Sequence, residues 1–442
     1  MGEFPPRLKV RIARNTQTDC PSPPLMACAL MLDLLRGRCQ AYARIARPML
    51  IYGLGAALWL ADLVTVSSRF WPRIRLILIG APIANTPICH NPQCDFSMFW
   101  PSGLAARAHD FATLYQPLAL LALRQHLLSA TASRIEYVYP PPTLLLTMPI
   151  SILPFGIAFL AWTALLTLAG ILLLRWGRLS WPVIGAAMLC PAALWNYECG
   201  QLSLFAACLL AGGLLRMRDA PWRAGLLFGA LIIKPQLGLL AGVVLLATGN
   251  GRALAASTGT ALGLSVLVTA LLGPQVWHAY ILYGTPVARQ ILYASLAPHS
   301  YETFGISVFW MLRSLGAGLT LAGAGQSAAT LIAIALTWRI WRTDSALLTK
   351  FAITAWASLL ATPYGYTNDM VAASAALAAL VAARGWRLGL AAPLIWLWPA
   401  LSPIIANAVY LELTPLITVL ALTWCWRAPP RQTAPERLVI PA

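Results

Sequence analysis

The sequence predicts an all-α protein: a polytopic bundle of helices that crosses a membrane about twelve times. Three observations carry this expectation. Hydrophobic residues make up 59% of the 442-residue chain and charged residues 10%, with mean hydropathy +0.70; a soluble domain carries about 25% charged residues. Apolar runs of span length recur along the chain, separated by connections rich in Arg, Trp and Pro. The basic residues crowd into one alternate set of those connections. No soluble core could hide so much apolar surface, whereas lipid accepts it as solvent and a helix satisfies its own backbone hydrogen bonds there. The net charge of +17 does not point to nucleic acid. The Lys and Arg stand singly or in pairs between apolar runs, as a topology signal does, and form no stripe that could follow phosphates.

Taken in order, residues 1–48 read as a basic, proline-rich cytoplasmic tail. Their one apolar run, PPLMACALMLDLL, is too short to span and is interrupted by Asp33. LLRGRC after it is a poor signal-peptide cleavage site. Residues 49–427 then form one transmembrane domain, followed by a second cytoplasmic tail, 428–442. The candidate spans are 49–66, 143–174, 181–197, 201–216, 222–234, 235–249, 252–273, 317–341, 346–362, 368–384, 388–406 and 413–427. The segment 143–174 is too long for one straight span and holds Pro149 and Pro154. The pair 222–234 and 235–249 is too short for two ordinary crossings and reads as a hairpin kinked at Lys234-Pro235.

With the N-terminus inside, RWGR, RMRDAPWR, GNGR, RIWRTD, ARGWR and both tails face the cytoplasm, and with them more than two-thirds of the Lys and Arg. The outer side takes Asp62, Asp95, Asp110, Glu136, Glu198, Glu302, Asp369 and Glu412. This positive-inside bias predicts a plasma-membrane protein with two long extracytoplasmic connections, 67–142 and 274–316. Within the first, residues 103–127 show apolar residues at helical spacing around Arg107, Arg124 and His126, as in amphipathic helices on the outer leaflet. Cys190, Cys208 and Cys425 lie in apolar runs as packing residues. Cys89 and Cys94 flank CHNPQC, where an oxidising compartment would permit a disulfide. No ligand cluster of metal-site spacing accompanies His90, so no metal and no cofactor is expected.

The polar groups at the outer span ends are the candidates for chemistry, because ionisable groups at membrane depth are costly. Asp95, in CDFSMFW, is either a general base in an aromatic pocket that raises its pKa or an N-cap of the helix beginning near Phe96. Lys234 requires a counter-anion: a bound phosphate, or Asp369 or Glu198, unless it snorkels to water. Gln201, in NYECGQ, either bonds a sugar hydroxyl or marks a tight reversal. Tyr139, in YVYPPPT, is an interfacial anchor or a substrate contact, and Tyr364 lies beside Asp369 in ATPYGYTND. His299 and Glu302, in APHSYETFG, are loop residues or part of an acceptor pocket.

The ordered motifs DFSMFW, HDFATLY, YVYPPPTLLL, GQLSLF, KPQLGLL and ATPYGYTND resemble glycosyltransferase family 87, from about residue 50 to residue 400. The family includes polyprenol-phosphate-mannose-dependent mannosyltransferases. The resemblance implies a GT-C type bundle and an inverting, metal-independent transfer of a sugar, a hexose such as mannose, at the extracytoplasmic face. The donor would be a polyprenyl-phosphate sugar and the acceptor a glycolipid or glycan hydroxyl. Asp95 falls on the family's essential Asp and Lys234 on its lysine, implying a base and a donor-phosphate ligand. Tyr139, Gln201, Glu198, Asp369, Tyr364 and His299 would bind substrate. The family often carries two acids after ATPY; here Thr367 stands at the first. A multi-pass transporter or lipid flippase is the alternative, but the acids gather at one face and no two halves match.

Overall fold

The computed structural model describes residues 53–68, 95–128, 130, 132, 134–297, 301–384 and 391–427. Among these residues the chain is helical; the only strand-like contact is an isolated bridge between Gly305 and Tyr366. Four of the described helices are long and apolar enough to cross a bilayer: Phe155–Trp176, Gly251–Leu272, Leu319–Trp341 and Ala391–Val409. The other apolar helices have 10–17 residues, among them Gly53–Ser68, Ser203–Arg216, Pro235–Thr248 and Leu347–Leu360. A 14-residue helix reaches about 21 Å, short of a hydrocarbon core of about 30 Å. Helix length therefore supports fewer single spans than the segments marked in the sequence. The tails 1–48 and 428–442 and the Cys89–Cys94 loop lie outside the described residues.

Proline sets the breaks. The run 143–174 divides into Leu144–Ile150 and Phe155–Trp176, with Pro154 directly before the second helix. The run 181–197 divides into Trp181–Met188 and Pro191–Cys199, where Pro191 opens the second piece. Pro221–Ala230 passes into a short turn, Leu231–Ile233, and the chain leaves helical geometry at Lys234 (φ −145°, ψ 73°) before Pro235–Thr248. In each case proline supplies no amide donor to the preceding turn and pushes the residue before it out of the helical region.

Exposure follows the apolar solvent. Leu165, Leu168 and Leu172 on one long helix, and Leu262, Val266 and Leu271 on another, all stand outward. By contrast, Ser203–Arg216 and Leu347–Leu360 are buried along nearly their whole length. The helices Pro221–Ala230 and Gly251–Leu272 approach backbone to backbone. A Cβ on Gly225 would lie 2.2 Å from the Ala253 carbonyl oxygen, and one on Gly229 2.3 Å from that of Ser257. Small residues four apart let two backbones touch where lipid supplies no hydrophobic drive for helix association.

The region 95–127 is less superficial than its spacing suggested. It forms Phe96–Arg107, Phe111–Tyr115 and Pro117–Leu127. Leu118 and His126 are exposed as expected, but the first helix is buried through Phe96, Phe99 and Trp100. Arg124 is buried too, because its guanidinium donates to the Ser97 carbonyl (3.0 Å) and hydroxyl (2.7 Å). These bonds replace the water that an interfacial arginine would keep.

Gly229→Ala is expected to lower the thermal midpoint of the detergent-purified protein, because the new methyl meets a backbone carbonyl. Gly242→Ala, where a Cβ meets nothing within 4 Å, should leave the midpoint unchanged or raise it slightly. Differential scanning fluorimetry compares the two.

Candidate active site

Asp95 immediately precedes the helix Phe96–Arg107. A carboxylate there ordinarily accepts a first-turn backbone N–H, but this one makes no such bond. Its Oδ2 accepts instead from the Gln201 side-chain amide at 2.8 Å, and the residue is only 3% exposed. Burial raises the Asp95 pKa from 3.8 to about 7, against the lowering effects of the Gln201 amide and of the Lys234 and Arg124 charges. Of the two readings open in the sequence, the geometry realises the desolvated carboxylate and not the cap.

Gln201 is aimed by the turn it occupies. Gly200 ends the helix Pro191–Cys199 in the left-handed region (φ 69°), and a Cβ there would come within 2.6 Å of the Phe96 Cβ. The Gly200 carbonyl is held by the Trp162 indole N–H at 2.9 Å. Gln201 Oε1 accepts from the Tyr139 hydroxyl (3.1 Å) and from the Leu202 amide (3.0 Å). With two donors on its oxygen, the amide must present its NH2 to Asp95. Tyr139 is fixed in turn: its ring lies 4.9 Å from that of Phe99, centroid to centroid, and its carbonyl accepts from Tyr115 at 3.2 Å. Burial and the negative charges of Asp95 and Asp369 hold the Tyr139 hydroxyl well above its usual pKa, so it stays a donor.

Lys234 is 2% exposed and satisfied on two sides. Its Nζ lies 2.5 Å from Asp369 Oδ1 and also donates to the Ser203 hydroxyl. Asp369 sits in the short turn Thr367–Met370, and its second oxygen accepts from the Tyr366 amide at 3.0 Å. Asn196 clamps the same turn: its amide donates to the Asn368 carbonyl at 2.8 Å, and its oxygen accepts from the Leu204 amide at 2.8 Å.

These groups border a cavity of about 1290 Å³, larger than the roughly 300–1,000 Å³ of common small-molecule sites. Asp95, Tyr139, Gln201, Lys234 and Tyr364 all line it, so one space joins five of the residues singled out in the sequence. Asp369 lies behind Lys234 and off the cavity wall, and so does the buried Glu198. Glu302 is on the wall, while His299 lies outside the described residues. Two contributors went unmarked in the sequence, Ser203 and Arg289, which lines the cavity from the helix Thr285–Tyr293, and Arg124 was marked only as a polar residue of an outer-leaflet helix. Ser203 was findable as a hydroxyl two residues beyond Gln201. Nothing in the local pattern set Arg124 apart from surface arginines.

Fold and site together define the class first, an integral membrane protein whose helices surround a large cavity with a buried carboxylate. The family model of glycosyltransferase family 87 matches residues 137–363, just over half of the chain. The chain belongs to that family and is a glycosyltransferase. The match includes Tyr139, Gln201 and Lys234; Asp95 precedes it, and Tyr364 and Asp369 follow it. No curated protein and no solved structure matches the chain.

Lys234→Met leaves the Asp369 carboxylate buried without its counter-charge, an expected cost of about 3–5 kcal/mol. The double variant Lys234→Met/Asp369→Leu should recover much of that loss. Thermal unfolding of the four proteins in a double-mutant cycle measures the coupling.

Proposed function

We propose that the protein moves a sugar, a hexose such as mannose, from a polyprenyl-phosphate donor to the hydroxyl of a glycolipid or glycan at the extracytoplasmic face. Asp95 is the general base. The observation that carries this reading is a carboxylate on the wall of a large cavity, desolvated to a pKa of about 7 and held by a fixed neutral amide. A base of that strength is well matched to proton transfer at neutral pH. Sidedness rests on the distribution of Lys and Arg.

In the step, the acceptor oxygen gives its proton to Asp95 and attacks the anomeric carbon from the face opposite the phosphate. The bond from that carbon to the phosphate oxygen breaks, and its electron pair leaves with the polyprenyl phosphate. One bond forms as one breaks, so the anomeric centre inverts. Tyr139 and Gln201 hold the base in place, and positioning of the two substrates supplies much of the rate. Lys234, neutralised by Asp369, acts on this reading through its field on Asp95 and not as a direct phosphate ligand.

Asp95→Asn keeps the shape and the Gln201 contact but cannot take a proton. Transfer from a polyprenyl-phosphate sugar in membranes should fall at least about 100-fold; normal transfer by this variant would sink the assignment. In the wild type, only ionised Asp95 is competent. The rate should therefore climb with pH up to about 7 and level off above it. The stability sign is opposite: the folded pKa lies above the carboxyl's ordinary value of 3.8. The stabilising contribution of protonated Asp95 is thus complete below about pH 3.8 and lost as pH rises through about 7. Gln201→Leu removes a bond that favours the carboxylate, so the rising limb should move to higher pH in the pH–rate profile.

A further inference from the structure

We infer that Arg289 is the cation that binds the donor's phosphate, in place of Lys234; this assignment rests on the lipid-phosphate reading above. Three basic side chains line the cavity: Arg134, Lys234 and Arg289. Lys234 is already neutralised by Asp369 and donates to Ser203. Arg134 is held by Glu136 at 2.7 Å. Arg289 has no ion pair among the described residues, is exposed to the cavity side of the fold, and lies within electrostatic reach of Tyr364 on the same wall. Arg124, the other positive charge acting on Asp95, is consumed by Ser97 and does not line the cavity.

The surroundings suit the two ends of a lipid phosphate. Arg289 sits on a short helix whose Val287 is buried while Gln290 is exposed, as in a helix at a membrane surface, the depth at which a lipid's phosphate resides. Leu239, Leu292 and Phe309 add apolar wall to the same cavity, where a prenyl chain would be accepted. A planar guanidinium with five donors matches the two free oxygens of the donor's phosphodiester and the oxygens of the phosphate monoester that leaves, and its charge is unshared until that ligand arrives. Asp95 lines the same cavity, and Arg289 is not among the charges that act on it. The sugar would therefore span from the arginine-bound phosphate toward the base.

Binding to the full-length protein in detergent, with farnesyl phosphate, farnesol and phosphatidylglycerol as probes, tests the assignment. Arg289→Gln should weaken farnesyl phosphate roughly 10- to 100-fold, the effect of losing one charge-assisted hydrogen-bonding group. Farnesol and phosphatidylglycerol should bind as in the wild type, which also shows that the variant is folded, and Arg289→Lys should retain part of the affinity. Unchanged farnesyl phosphate binding by Arg289→Gln overturns the assignment alone. An equal loss for phosphatidylglycerol also overturns it, because Arg289 would then be a general headgroup contact. A wild type that does not prefer farnesyl phosphate over farnesol overturns the lipid-phosphate donor as well.

Discussion

The buried contact between Lys234 and Asp369 is the constraint around which the site is arranged. The two residues lie 135 positions apart, and neither charge is tolerable in an apolar interior without the other. Their meeting brings the break after Leu231–Ile233 against the turn Thr367–Met370, with Ser203 as a third point of attachment. Asn196 ties the same turn to the helix Pro191–Cys199. Three regions of the chain, residues 191–203, 231–234 and 367–370, are thereby fixed to one another by polar groups that lipid could not solvate.

That arrangement separates the roles of two carboxylates. Asp369 has an ammonium in contact and a backbone amide on its other oxygen. Asp95 has a neutral amide and lies in a desolvated pocket, with positive charges acting at a distance. Placing two acids in unlike surroundings is a general route to giving one a structural task and the other a proton-transfer task. The amide between Tyr139 and Asp95 is part of the same logic. Its orientation is set by two donors on its oxygen, so the Asp95 carboxylate is held by a neutral N–H and not by a charged partner.

The apolar scaffold serves that polar arrangement. Its long helices present leucines outward to lipid, while the polar atoms are collected around the cavity. Breaks at proline supply the places where polar side chains and free backbone groups gather: Lys234 stands before Pro235, and the Gly200-Gln201 turn ends a helix opened by Pro191. Irregular backbone at membrane depth is tolerated where protein covers it or a cavity receives it.

The helical class, the membrane solvent and the candidate polar residues were legible in the sequence because each is a local or compositional property. Charge content, apolar run length and proline position need no knowledge of what packs against what. The family match agrees with the motifs that were read in order along the chain. Partnership was not legible. The sequence left Lys234 open to a phosphate, to Asp369 or to Glu198, and it left the partner of Asp95 open; only three-dimensional proximity pairs Lys234 with Asp369 and sets the Gln201 amide, in place of a first-turn N–H, against Asp95. Arg289 and Arg124 look alike as single arginines on short helices, yet one lines a cavity with no ion pair among the described residues and the other is buried on Ser97. A residue's type and spacing limit what it can do, but its charge is free or spent according to which distant group the fold brings within hydrogen-bonding reach.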